Sequence, residues 1–219
     1  MNRELYKRIN TGLLLLLLLI LMFMSKIIYL FVLISIFSLS FVEFTQLSKI
    51  FLKKKKLYQF LVNALFSLYL FLFLLICIFG LNDVHFKIIL FVILLICISS
   101  DIGGILFGKV FKGPKLISIS PNKTIAGCIG SFILSILTSS LLLEYIFNTE
   151  LINNIFLGLF ISMSVQAGDL FFSYLKRKSS MKHTGNILPG HGGVLDRIDG
   201  ILLGMPVGLL YVLILVFTG

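Results

Sequence analysis

Three aspartates near the C-terminal end of this 219-residue chain stand where chemistry could be done: Asp169, Asp196 and Asp199. A carboxylate at the end of an apolar helix is costly to bury, so it faces a polar cavity or binds a cation. Asp169 closes an apolar run, and if the helix continues, Ser173 and Lys176 follow at i+4 and i+7 on the same face. An acid, a hydroxyl and an ammonium would then point into one space. Asp196 and Asp199 stand three apart just before the last apolar run, a spacing that lets both side chains reach one metal ion. Hard oxygen ligands of this kind suit magnesium. Lys176, Arg177, Lys182 and Arg197 surround these acids, and Gly190, Gly192 and Gly193 allow close backbone approach. Such a mixture fits a metal-bound polyphosphate. The competing reading has the basic residues only holding a loop on one side of a membrane, with the acids balancing them. His191, in the same glycine-rich turn, could donate to a phosphate, carry a proton or simply form the turn.

The elements that must carry these residues are apolar. Hydrophobic residues make up 58% of the chain and charged residues 13%, with a mean hydropathy of +1.09, which excludes a soluble single domain. In a water-soluble protein the formal charge of +10 would suggest nucleic acid. Here it points to the cytoplasmic face of a bilayer, and no nucleic acid partner is expected. A membrane crossing takes ~20 apolar residues in a helix. Seven candidate runs are found: Gly12 to Met24, Ile27 to Val42, Leu57 to Leu81, Phe86 to Ser99, Ile125 to Leu143, Leu151 to Gly168 and Ile201 to Phe217. The first, second and fourth are short for a full crossing. The expected fold is therefore all-α, a polytopic integral membrane protein with about seven transmembrane or membrane-embedded helices. Residues 1–56 read as an N-terminal membrane hairpin with a basic cytoplasmic loop. Residues 57–219 read as a membrane catalytic region with cytoplasmic loops near 100–124 and 169–200.

Alternate loops differ sharply in charge. With the N-terminus inside, every Lys and Arg except Lys26 and Lys87 falls on the cytoplasmic side. The run Lys53 to Lys56 is a topology anchor near anionic lipid. The leucine run Leu13 to Leu19 lacks a small-residue cleavage site after it and reads as a retained helix. Cys77, Cys97 and Cys128 sit singly in apolar sequence and read as packing residues. Asp101 is the fourth acid expected on the cytoplasmic side. Glu43, closing the second apolar run, is expected at the interface, and His85 in an outer loop is expected to be incidental.

Taken in order, Ser173, Lys176, Arg177, Lys182, Pro189, His191, Gly192, Gly193, Asp196, Arg197 and Asp199 resemble the C-terminal signature of phosphatidate cytidylyltransferases, also called CDP-diacylglycerol synthases. Asp101, Gly103, Gly108 and Lys109, followed by Ser120, Pro121, Asn122, Lys123, Thr124 and Gly127, resemble that family's upstream cytoplasmic motif, and the pair Gly168 and Asp169 fits as well. The similarity of motifs covers the second half. Before it, only hydropathy, Arg8 and Glu43 resemble the family. Two positions depart: His183 stands where the family usually has Asp, and Ala126 where it usually has Glu. Neither can supply a carboxylate oxygen.

The resemblance implies transfer of CMP from CTP to phosphatidate on the cytoplasmic side of a membrane, taken as a bacterial inner membrane, and a homodimer. It implies catalytic roles for Asp169, Asp196, Asp199, Lys176 and Arg177, with magnesium on the three acids. Ser120, Lys123, Thr124, Ser173, Lys182, His191, Gly192, Gly193 and Arg197 would bind CTP or phosphatidate, with membrane lipid around them. Three other readings compete. A CDP-alcohol phosphotransferase also clusters Asp residues, but its longer Asp-rich pattern does not fit the spacing here. A CTP-dependent lipid kinase would transfer the γ-phosphoryl instead. An ion-coupled transporter would distribute its acids through the helices and show an inverted repeat, whereas the acids here gather at one face.

Overall fold

The computed structural model describes residues 3–53, 55–117, 120, 123–185, 187 and 192–218, with side chains described between residues 10 and 217. Among the described residues seven helices follow one another: α1 (Arg3–Met24), α2 (Lys26–Phe51), α3 (Lys56–Phe79), α4 (Val84–Phe111), α5 (Ile125–Phe147), α6 (Leu151–Lys178) and α7 (Leu195–Thr218). Each carries one of the seven apolar runs, whole except that the third extends past α3 to Leu81. Among the described residues, α2 to α7 are each long and apolar enough to cross a membrane, whereas α1 offers the shorter apolar stretch Asn10–Met24. Their outward faces carry exposed large apolar side chains such as Leu13, Phe31, Phe60, Phe79 and Leu141, as hydrocarbon solvent requires. The protein is an all-α polytopic membrane protein.

Two expected lengths change. The second and fourth runs looked too short because polar residues end them, yet the helices continue. α2 runs through Glu43, Thr45, Gln46 and Ser48, and α4 runs through Ser99, Ser100, Asp101 and two glycines to Phe111. Within a helix the serine and threonine hydroxyls satisfy themselves on the preceding turn, as Ser40 does on the Ile36 carbonyl at 2.6 Å and Ser99 on that of Ile96 at 2.9 Å. The same extension shortens the connections: residues 112–124 separate α4 from α5, and residues 179–194 separate α6 from α7.

The chain divides into two units, residues 1–84 with 175–198, and residues 85–174 with 199–219. In the first, α2 and α3 pack through stacked Phe44 and Phe66 rings and the edge-on pair Phe37 and Phe73, with Leu47 almost fully buried. Cys77 is buried there, and its carbonyl accepts from the Tyr29 hydroxyl at 3.5 Å. In the second unit small residues let helices approach closely. A methyl group on Gly103 of α4 would strike the backbone of Gly130 and Ser131 on α5. Ser100 and Ser162 share a buried hydrogen bond of 2.9 Å, and Cys97, three residues before Ser100, is fully buried. At the opposite end of α6 from Asp169, Ser139 donates to the Asn154 carbonyl at 2.7 Å, closing the α5–α6 turn.

Candidate active site

In the second unit the candidate residues begin with the connection before α5. Thr124 is the N-cap, its hydroxyl accepting from Gly127 N at 3.1 Å. Lys115 and Thr124 form an antiparallel bridge, Leu116 N donates to the Lys123 carbonyl at 2.8 Å, and Lys123 N donates to that of Ser120 at 3.0 Å. This folded-back segment presents Lys123, whose ammonium pairs with Asp169 Oδ2 on α6. Ser173 donates to Asp169 Oδ1 at 3.4 Å, so the expected i+4 partnership exists. Both members of the ion pair keep partial exposure, 24% and 33% of their side chains. Next to Asp169, Gly168 lets α6 and α7 touch, since a methyl group there would lie 2.6 Å from the Asp199 carbonyl oxygen. Asp199 is buried, and its Oδ1 accepts from Gly200 N at 3.0 Å. Asp101 lies exposed on α4.

In the first unit the last turn of α6 and the first turn of α7 meet. The Lys176 ammonium donates to Asp196 Oδ1 at 2.8 Å, with only 12% and 5% of the two side chains exposed. Asp196 Oδ2 accepts from Gly193 N at 3.1 Å and from Thr184 N at 2.9 Å. The turn needs glycine at Gly192, whose φ is +86°. Its missing side chain would also have struck Asp196 Oδ2 and His183 Nδ1. His183, one of the two departures, sits 3.6 Å from Asp196 Oδ2 with half its side chain exposed. Arg177, Lys182 and Arg197 are exposed. His191, with Pro189 and Gly190, lies outside the described residues, as do Pro121 and Asn122.

Glu43 corrects an expectation. Rather than lying at an interface, it is 2% exposed and accepts three hydrogen bonds from this same region. They come from the Thr184 hydroxyl at 2.9 Å, Val194 N at 3.0 Å and Leu195 N at 2.8 Å. The available signal was its isolation: a lone acid among apolar residues has to find donors.

Magnesium usually takes one or two protein carboxylates and completes its shell with water and substrate phosphates. Among the described residues no three His, Cys, Asp or Glu gather as a ligand set. Asp196 has both oxygens engaged, by one cation and two backbone donors. Asp169 and Asp199, on the touching stretches of α6 and α7 in the second unit, are hard donors of the kind such a site uses.

Comparison with known proteins adds a lineage. The profile described as "Cytidylyltransferase family" matches residues 2–215. The chain is similar to a protein of Rickettsia typhi named phosphatidate cytidylyltransferase, 42% identical over 128 residues, which are 54% of this chain and 56% of that protein. A protein of Helicobacter pylori with the same name is 38% identical over 116 residues, 51% of this chain and 42% of the relative. One from Staphylococcus saprophyticus, likewise named, is 38% identical over 120 residues, 54% of this chain and 46% of the relative. The chain spans about half the length of the relatives it matches.

Proposed function

The chain belongs to the Cytidylyltransferase family, and from that premise we propose that it is an enzyme transferring CMP from CTP to phosphatidate, giving CDP-diacylglycerol and pyrophosphate for phospholipid synthesis. The observation that carries the reading is the paired acids and lysines at the ends of apolar helices, Lys176 on Asp196 and Lys123 on Asp169. Transfer between two polyanions needs cations and hydrogen-bond donors held in place more than it needs a strong base.

Phosphatidate brings its own ionised phosphate as nucleophile. A phosphate oxygen attacks the α-phosphorus of CTP, a new P–O–P bond forms, and the bond to the β-phosphate oxygen breaks as pyrophosphate leaves. Lys176, Arg177, Lys182 and Arg197 carry the charge of the phosphates, with Gly192 and Gly193 in the turn that approaches them and His191 as a further phosphate donor by its residue type. Asp196 fixes the Lys176 ammonium, its two oxygens also accepting from the Thr184 and Gly193 N–H groups. Lys123 passes from Asp169 to a substrate phosphate, beside Ser120, Thr124 and Ser173. Asp169 and Asp199 would hold magnesium, which would neutralise the triphosphate when bound.

The reading includes a homodimer, and an inner membrane of a bacterium with the reacting residues facing the cytoplasm. The distribution of Lys and Arg supports the orientation, and the bacterial relatives support the membrane. Reaction on that face lets a soluble nucleotide meet a lipid whose tails stay in the bilayer. The test is product formation by the purified chain with CTP, magnesium and phosphatidate. CDP-diacylglycerol with pyrophosphate is expected, and phosphorylated lipid with CDP would contradict it.

A further inference from the structure

The N-terminal turn of α7 is gripped by two carboxylates. Asp196 takes the N–H groups of Thr184 and Gly193, while Glu43 takes the N–H groups of Val194 and Leu195 and the Thr184 hydroxyl. Thr184 therefore bridges the acids, its backbone bonded to one and its side chain to the other. A helix start leaves its first N–H groups without intrahelical partners, and a side chain close in sequence usually supplies the cap. Here Asp196 caps locally, but the other acceptor comes from α2, 151 and 152 positions away from the residues it holds.

The turn is also moulded on that carboxylate. A methyl group at Gly185 would lie 2.5 Å from Glu43 Oε1, and one at Gly193 would collide with Glu43 Oε2 and the Thr184 hydroxyl. Close by, Ser179 donates to the Leu47 carbonyl of α2 at 3.5 Å. The place of the Gly193–Asp196 turn, and with it the Lys176–Asp196 pair, is set from α2.

We propose that Glu43 is a positioning residue for cytidylyl transfer: it acts through Thr184, Val194 and Leu195 to hold the Gly193–Asp196 turn where Lys176 and the turn's backbone meet phosphate. The catalytic part of this proposal rests on the transfer reading; the clamp itself does not. Glutamine cannot replace the acid, because three donors face its two terminal atoms and its NH2 would oppose at least one backbone N–H. Thr184→Val removes only the hydroxyl, and Thr184→Ser keeps it.

The experiment uses the full chain in lipid nanodiscs, comparing wild type, Glu43→Gln, Thr184→Val and Thr184→Ser. The readouts are kcat, KM for CTP and amide hydrogen exchange. Misplacement of a positioned group by about 1 Å can cost on the order of 100-fold, so Glu43→Gln should lose about that much in kcat with KM within about threefold. Thr184→Val should lose about tenfold and Thr184→Ser stay within about twofold of wild type. Exchange at residues 193–195 should quicken in Glu43→Gln and Thr184→Val while α3 and α5 keep wild-type rates. A Glu43→Gln kcat within about twofold of wild type, or faster exchange in all helices together, would overturn the proposal. Should wild type make no CDP-diacylglycerol, the transfer reading fails, and exchange at 193–195 alone then upholds or overturns the clamp.

Discussion

Glu43 and Leu195 lie 152 positions apart, yet the Glu43 carboxylate accepts the Leu195 N–H at 2.8 Å. The bond ties the middle of the chain's second helix to the first residue of its last. The segment carrying the densest run of chemical groups thus belongs to the same unit as the N-terminal helices, from which the family motifs are nearly absent.

The Lys176–Asp196 pair is nearly buried, so breaking it leaves an uncompensated charge. Lys176→Met should lower the unfolding free energy by about 3 kcal/mol, at the lower end of what removal of one buried partner costs. It should also remove most activity. Thermal unfolding in detergent, followed with product assay on the folded fraction, checks both. Asp196→Asn should likewise lose most activity, and robust turnover by that variant would speak against its part in holding Lys176.

Lys123 and Asp169 are more exposed, and screening limits such a pair to about 1 kcal/mol or less. Lys123→Ala should therefore unfold close to the wild-type temperature. If Lys123 passes to a substrate phosphate, KM for CTP should rise about tenfold, the loss of one charge-assisted contact. Steady-state kinetics with phosphatidate saturating decides this.

Chelation of divalent cations should abolish turnover, and added magnesium should restore it. Asp169→Asn and Asp199→Asn should each shift the magnesium dependence to higher concentration. Unchanged magnesium curves for both variants would dismiss these two acids as ligands.

Gly168→Ala places a methyl group against the backbone of Asp199 and Gly200. Overpacking of this kind costs about 1–3 kcal/mol. A lower unfolding temperature with reduced activity is expected, whereas Gly12→Ala, at a position where an added methyl group meets nothing, should leave packing untouched.

Helix number and type were legible because membrane solvent enforces long apolar runs, and each of the seven runs falls on its own helix, the third overrunning α3 by Gly80 and Leu81. Their ends were not. Ser100, Asp101 and Gly103 read as the start of a loop, but Ser100 bonded to Ser162 and glycines fitted against α5 let α4 continue to Phe111. Lys176, expected on the Asp169 face, pairs instead with Asp196 on the next helix, whereas Ser173 with Asp169 could be anticipated from helical spacing. The grip of Glu43 on residues 184–195 could not, because its partners are backbone N–H groups far away in the chain, and backbone donors carry no sequence signature. Polar satisfaction was the missing argument: a lone acid in an apolar helix demands donors, and a glycine-rich turn at a helix start has them.

The most direct test of the account labels CTP at one phosphorus at a time and supplies phosphatidate, magnesium and the purified chain. Cytidylyl transfer predicts that α-labelled phosphorus enters the lipid as CDP-diacylglycerol while γ-labelled phosphorus leaves as pyrophosphate. Lipid carrying the γ-label, with CDP released, would contradict it.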